Sequence, residues 1–222
     1  MLIKVCGLRE GENVEQLLGK GVPDMLGMIF YEKSPRFVEA GASKPMKSSY
    51  PAISKVGVFV NASIEKIKEA KEKYPFEIVQ LHGDESSQFV AALKEDLAIK
   101  VIKVFQVSDK IDLEKMIPFE GLVDFFLFDT QTSAYGGSGK KFDWRALESY
   151  SLKTPYLLSG GIDLEHVEEI ISFSKSNPKM VGVDINSKFE LNPGLKDPEK
   201  AGRFINLIRE KTINQIDYDR NR

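Results

Sequence analysis

The sequence predicts a single-domain (β/α)8 TIM barrel in the α/β class, and three observations carry that prediction. Eight short apolar runs recur along 222 residues, their starts roughly 20 to 30 residues apart, the length of a strand, a helix and two turns. Helix-period stretches fill most of the intervals. The runs are apolar throughout instead of alternating, as parallel strands buried on both faces are.

In order, the strand candidates are "LIKVC" at 2–6, "MLGMIF" at 25–30, "KVGVFV" at 55–60 and "FEIVQL" at 76–81, then "IKVIKVF" at 99–105, "VDFFLF" at 123–128, "PYLLS" at 155–159 and "MVGVDI" at 180–185. Helices are expected over 63–73, 86–95, 164–174 and 197–211. The weakest units are 31–54, rich in loop residues, and 106–122. A doubly wound open sheet is the alternative, but no G-x-G-x-x-G turn follows the first strand. With no linker in the chain, residues 1–212 form the barrel and the polar "INQIDYDRNR" at 213–222 forms a tail.

A formal net charge of −2 makes no case for nucleic acid, which requires a clustered basic face. No run approaches the roughly 20 apolar residues that span a bilayer, and the N-terminus lacks a signal-peptide pattern. One cysteine forms no intramolecular disulfide. The expected setting is cytoplasmic. The expected assembly is a monomer, with a homodimer as the alternative.

Chemistry in a parallel barrel gathers at the C-terminal ends of the strands. Cys6 ends the first, where nearby backbone N–H groups could ionise the thiol for use as a base; its ordinary reading is a small core hydrophobe. Asp129 ends the sixth and could act as the acid across the mouth; a helix cap is the ordinary reading. Asp184 closes the eighth. Gly160 and Gly161 in "SGGI" and Asn186 and Ser187 in "DINSK" follow strands seven and eight, where barrels commonly bind phosphate through backbone N–H groups. Arg36 in "SPR" offers a fork for a carboxylate. His82 in "QLHGDE" is placed to hydrogen-bond at the mouth, or to serve structure alone. The "GGSGK" run at 136–140 lacks the spacing of a P-loop and reads as a loop over the site. Two histidines far apart give no metal set.

Together, "KVCGL", "GMIFYEKSPRFV", "VGVFVN", "VQLHGDE", "LFDT", "GGSGKKFDW", "LSGGI", "GVDINS" and "PGLKD" resemble, in order, the phosphoribosylanthranilate isomerase family of tryptophan biosynthesis. The resemblance runs from residue 4 to about 197. It departs at Arg9, where many relatives have threonine, and at Asn186, where serine is frequent. It implies a (β/α)8 enzyme that performs an Amadori rearrangement of N-(5′-phosphoribosyl)anthranilate, a small phosphorylated substrate, without metal or cofactor. It also implies roles: Asp129 as general acid on the furanose ring oxygen, Cys6 as general base at carbon 2, and Arg36 on the anthranilate carboxylate. Asp184 would hold the sugar hydroxyls, and the amides of Gly160, Gly161 and those near Asn186 and Ser187 the phosphate.

The rivals are the related phosphosugar isomerase of histidine biosynthesis, which needs a second phosphate site in the other half-barrel, and a lyase on the same fold, for which Lys100 or Lys103 would have to be catalytic. From another class comes a non-catalytic phosphate-ligand-binding barrel, which needs neither Cys6 nor Asp129.

Overall fold

The structure, a computed structural model, describes residues 1–38, 50, 52–130 and 142–220, the last seven by backbone alone. Eight parallel strands pair in chain order and close: β1 (Leu2–Val5), β2 (Met25–Ile29), β3 (Ser54–Phe59), β4 (Ile78–Leu81), β5 (Lys100–Val107), β6 (Phe125–Thr130), β7 (Tyr156–Leu158) and β8 (Met180–Ile185). Closure is the pairing of β8 with β1, where Leu2 meets Gly182, Lys4 meets Asp184 and Val5 meets Ile185.

The helices are α1 (Gly11–Leu18), α2 (Ile64–Lys73), α3 (Ser87–Leu97), α4 (Leu113–Met116), α5 (Val167–Ser176) and α6 (Pro198–Arg220). Serine caps start two of them: Ser63 accepts from the Lys66 amide and Ser86 from the Phe89 amide. Each expected helix is present, the one at 164–174 opening as a 3-10 turn over Leu164–His166. The weak interval 106–122 holds only the four residues of α4 and a 3-10 turn over Ile117–Phe119. Short α1 was not anticipated, because two turns bury only Gly11, Asn13, Val14 and Leu17 and give little periodicity. An antiparallel hairpin of β9 (Glu190–Asn192) and β10 (Leu195–Lys196) was also not anticipated. The backbone of α6 continues helical to Arg220, into the segment read as a tail. Among the described residues no helix is long and apolar enough to cross a membrane.

Strand geometry sorts the core into two shells, since successive side chains point to opposite faces. Cys6, Met25, Val56, Val58, Ile78, Ile102, Val104, Leu127 and Leu157 fill the barrel interior. Ile3, Val5, Phe126, Phe128, Tyr156 and their neighbours pack outward under the helices. This is why each run reads as continuously apolar. Lys103 falls on the outward parity, under the loop after β4, donating to the Gly83 carbonyl at 2.6 Å and pairing with Glu85 at 3.1 Å. Lys100 is exposed at the start of β5. Neither lysine enters the barrel.

In the outer shell Tyr156 packs edge-on against Phe128 and Tyr150. Its hydroxyl is buried and has no hydrogen-bond partner among the described residues, and burial raises its pKa well above the ordinary phenol value. A buried donor without a partner costs roughly 1–3 kcal/mol. Tyr156→Phe is therefore expected to leave stability unchanged or raise it by about 1 kcal/mol in urea unfolding; a clear loss would show that the hydroxyl is paired.

Candidate active site

The same parity that fills the interior with apolar side chains places polar ones at its C-terminal end. Lys4 on β1 and Cys6 just past its end share the inward face, as Gln80 and His82 do along β4, Leu127 and Asp129 on β6, Leu157 and Ser159 along β7, and Gly182 and Asp184 on β8. In the closed sheet β6 and β1 are separated by β7 and β8, so Asp129 faces Cys6 across the mouth with Ser159 and Asp184 between them.

Cys6 is 4% exposed. Its own N–H donates to the Ile185 carbonyl at 2.9 Å. The charged group beside the thiol is an ammonium: Lys4, fully buried, donates to Asp184 Oδ1 at 2.8 Å. Burial works against the Lys4 charge, but Asp184 and Cys6 hold its pKa above the ordinary value. Burial pushes the Cys6 thiol up, with Lys4 pulling it down. Opposite them β2 carries Gly27. A β-carbon there would lie 2.9 Å from Cys6 Sγ, 3.1 Å from Cys6 Cα and 3.2 Å from Lys4 Nζ.

Asp184 Oδ1 accepts from Lys4, and the Ser159 hydroxyl stands 3.4 Å from Oδ2 and 3.3 Å from the Asp184 carbonyl. Asp129 Oδ1 accepts from the Thr130 amide at 2.9 Å, and its Oδ2 stands 3.5 Å from His82 Nε2. His82 Nδ1 stands 3.4 Å from Gln80 Nε2.

Arg36 is not the free fork that the sequence suggested. Its Nε and Nη2 are bidentate on Glu190, at 3.0 and 2.7 Å, which leaves Nη1 without an acceptor among the described residues. Glu190 in turn accepts from Lys196 Nζ at 2.7 Å, and the two partners hold its carboxyl below the ordinary range despite burial. Lys196, also fully buried, is brought down to about 8 by burial. It donates to Asn186 Oδ1 at 2.7 Å and to the Asn186 carbonyl at 3.3 Å. The Asn186 side chain thus reaches back to Lys196 and to Gly7, where a β-carbon would lie 2.5 Å from its Oδ1. Arg9, the other departure, lies against Gly194 of the hairpin and donates to the Pro35 carbonyl at 3.3 Å.

After β7, Gly160 and Gly161 take φ of +86° and +65°, the region that favours glycine. A β-carbon on Gly160 would sit 2.7 Å from the Thr130 amide nitrogen. Neither glycine donates its N–H to an acceptor among the described residues. Lys200 ties the flanking loops, bonding Asp163 Oδ1 and the Lys188 carbonyl, each at 2.7 Å. After β3 and β4, by contrast, the Glu85 carboxylate takes the Asn61 amide at 2.8 Å and the Gly83 amide at 3.1 Å.

The sequence reading brought Cys6, Asp129, Asp184 and His82 to one mouth, and they meet there. It missed Lys4, Gln80, Glu85, Glu190 and Lys196. Lys4 carried a signal, since it stands two residues before Cys6 on one strand; the hairpin pair carried none, its partners lying far apart in the chain. The "GGSGK" loop at 136–140 lies outside the described residues.

Residues 3–207 match the family described as N-(5′-phosphoribosyl)anthranilate isomerase. Similar curated proteins include the N-(5′-phosphoribosyl)anthranilate isomerase of Parabacteroides distasonis, 45% identical over 96% of each chain. That of Phocaeicola vulgatus is 39% identical over 95% of this chain and 99% of its own. Among solved structures, phosphoribosylanthranilate isomerase from Thermotoga maritima superposes with a TM-score of 0.80 at 31% identity, covering 95% of this chain and 99% of that one. Another, crystallised with reduced 1-(o-carboxyphenylamino)-1-deoxyribulose 5-phosphate, superposes at 0.77 with 28% identity, over 95% of this chain and all of that one.

The space opposite Cys6 has a measurable consequence. Gly27→Ala is expected to cost about 1–3 kcal/mol by overpacking in urea unfolding, and clearly less on a Cys6→Ala background, because the nearest clashing atom is gone. Equal costs on both backgrounds would show that the thiol does not fill that space.

Proposed function

The chain belongs to the N-(5′-phosphoribosyl)anthranilate isomerase family and catalyses that family's Amadori rearrangement in tryptophan biosynthesis, and we propose that Cys6 and Asp129 perform it as base and acid. The observation that carries this assignment is their position at the inward C-terminal ends of β1 and β6, on opposite sides of one mouth. Asp129 donates a proton to the furanose ring oxygen; the bond from that oxygen to carbon 1 breaks, and a Schiff base forms with the anthranilate nitrogen. Cys6 removes the proton from carbon 2 and leaves an enolamine. Tautomerisation places a proton on carbon 1 and releases the hydroxyl proton at carbon 2, giving the aminoketose 5-phosphate. Each transfer needs a donor or acceptor within hydrogen-bond reach, and the arrangement supports both at once.

Binding follows the same reading. The N–H groups of Gly160 and Gly161, which have no acceptor among the described residues, take the phosphate with those near Asn186 and Ser187. The Nη1 edge of Arg36, fixed from behind by Glu190, takes the anthranilate carboxylate. Asp184 orients the sugar hydroxyls, and His82 stands beside Asp129. The histidine-pathway rearrangement would need a second phosphate after β3 and β4, where the Asn61 and Gly83 amides already serve Glu85. That supports a monophosphate substrate. A cytoplasmic setting and a monomer belong to the proposal too. The Thermotoga maritima relative is described as dimeric, with monomers also crystallised, so light scattering decides the assembly.

Asp129→Asn and Cys6→Ala are each expected to lower kcat by about 10²- to 10⁴-fold, the range for lost general acid–base catalysis, with the urea midpoint little changed. Freshly made phosphoribosylanthranilate, followed by loss of its fluorescence, gives the rates. Turnover within a few-fold of the parent in either variant would remove that residue from the mechanism.

A further inference from the structure

A base buried to this degree raises a question that neither Cys6 nor the substrate answers: what keeps the thiolate populated in an apolar interior. Desolvation disfavours the charged form of any thiol. The groups that face Cys6 are few. β2 contributes no titratable group: Gly27 stands beside the thiol, and the flanking inward residues are Met25 and Ile29. Asp184 on β8 opposes ionisation, and Asp129 and His82 act at one remove through it. Among the described residues the two cations are Lys4, two residues earlier on the same face, and Lys196 on β10.

Donor arithmetic separates those cations, since a lysine ammonium has three N–H groups. Lys196 uses all three, on Glu190 and on both oxygens of Asn186. Among the described residues Lys4 gives one to an oxygen, Asp184 Oδ1. Its Nζ and Cys6 Sγ border the same small space, each about 3 Å from the point where a Gly27 β-carbon would stand. Among the described residues, two N–H groups of a fully buried ammonium therefore remain to meet the thiol.

The geometry assigns Lys4 as the positioning residue that holds Cys6 in its base form: its ammonium, anchored by Asp184, donates to the thiolate and turns a buried thiol into a usable base. This rests on Cys6 being the base, as proposed above. Asp184 then has a second task besides any contact with the sugar. It fixes the ammonium, and its opposing charge tempers how far the thiol is acidified, so the thiolate keeps basicity toward a carbon-bound proton. When Cys6 accepts the proton from carbon 2, the Lys4–Asp184 pair remains neutral overall, and no buried charge is stranded.

The chain has one cysteine, so [3-13C]cysteine labelling gives a single resonance whose shift with pH reports Cys6 ionisation independently of activity. Lys4→Met is expected to move that titration upward by about one unit or more, and Lys4→Arg to leave it near the parent. Asp184→Asn should move it downward, a sign that a merely structural role for the pair would not produce. In Lys4→Met, kcat/KM should fall about tenfold for each unit of upward shift. If Lys4→Met does not fold, the double variant with Asp184→Asn carries no unpaired charge and is read against Asp184→Asn alone, with the same upward shift expected. A titration in folded Lys4→Met that superimposes on the parent overturns the assignment. Should Cys6→Ala retain turnover while the titration still shifts, the base assignment fails and the Lys4–Cys6 coupling stands.

Discussion

A lysine and an aspartate 180 residues apart in the chain meet inside the barrel, where β1 pairs with β8 and the sheet closes on itself. That contact fixes much else. Taking two charges out of water costs several kcal/mol per ion, and removing one partner from such a pair typically costs about 3–5 kcal/mol. The pair thus tolerates only the register in which Lys4 stands opposite Asp184. That register sets Cys6 level with the end of β8, and it puts the last inward positions of β1, β6 and β8 around one opening.

Closure also explains the uneven distribution of polarity inside. Toward the base the inward positions are apolar, and Val56, Ile78, Ile102 and Leu127 fill them. Toward the mouth the same faces carry Cys6, Gln80, His82, Asp129, Ser159 and Asp184. Asp129, Ser159 and Asp184 already have hydrogen-bond partners within the protein, whereas Gln80 Oε1 and His82 Nε2 have none among the described residues. Those three side chains are held in place by the protein itself, and dipoles organised in advance need not reorient when charge develops.

A second ionic lattice lies behind the first. Arg36, Glu190, Lys196 and Asn186 tie the loop after β2 to the hairpin after β8, and Gly7 fits into the gap only because it has no side chain. This lattice gives Arg36 its orientation at the cost of half its fork. On the opposite side of the mouth, Glu85 and Lys103 do the equivalent for the loops after β3 and β4. The two halves of the barrel thus differ in one decisive respect. On one side the Gly160 and Gly161 amides have no acceptor among the described residues, and on the other the amides are filled by a carboxylate of the protein's own.

The sequence by itself determined the barrel, all eight strands and the mouth residues Cys6, Asp129, Asp184 and His82, because strand spacing, continuous apolarity and end-of-strand position are local properties of a chain. It could also rule out a P-loop and leave the phosphate turn at Gly160 and Gly161 standing as a candidate. The tertiary structure alone decided which charges pair. Nothing local tells that Arg36 spends its fork on Glu190, that Lys196 is buried against Asn186, or that Lys103 points out of the barrel while Lys4 points in. Those outcomes follow from strand parity combined with closure, and closure joins residues that the sequence places at opposite ends. The short helix α1 and the β9–β10 hairpin stayed hidden for the related reason that elements of two turns or a few residues gain their stability from what they pack against, with little pattern of their own.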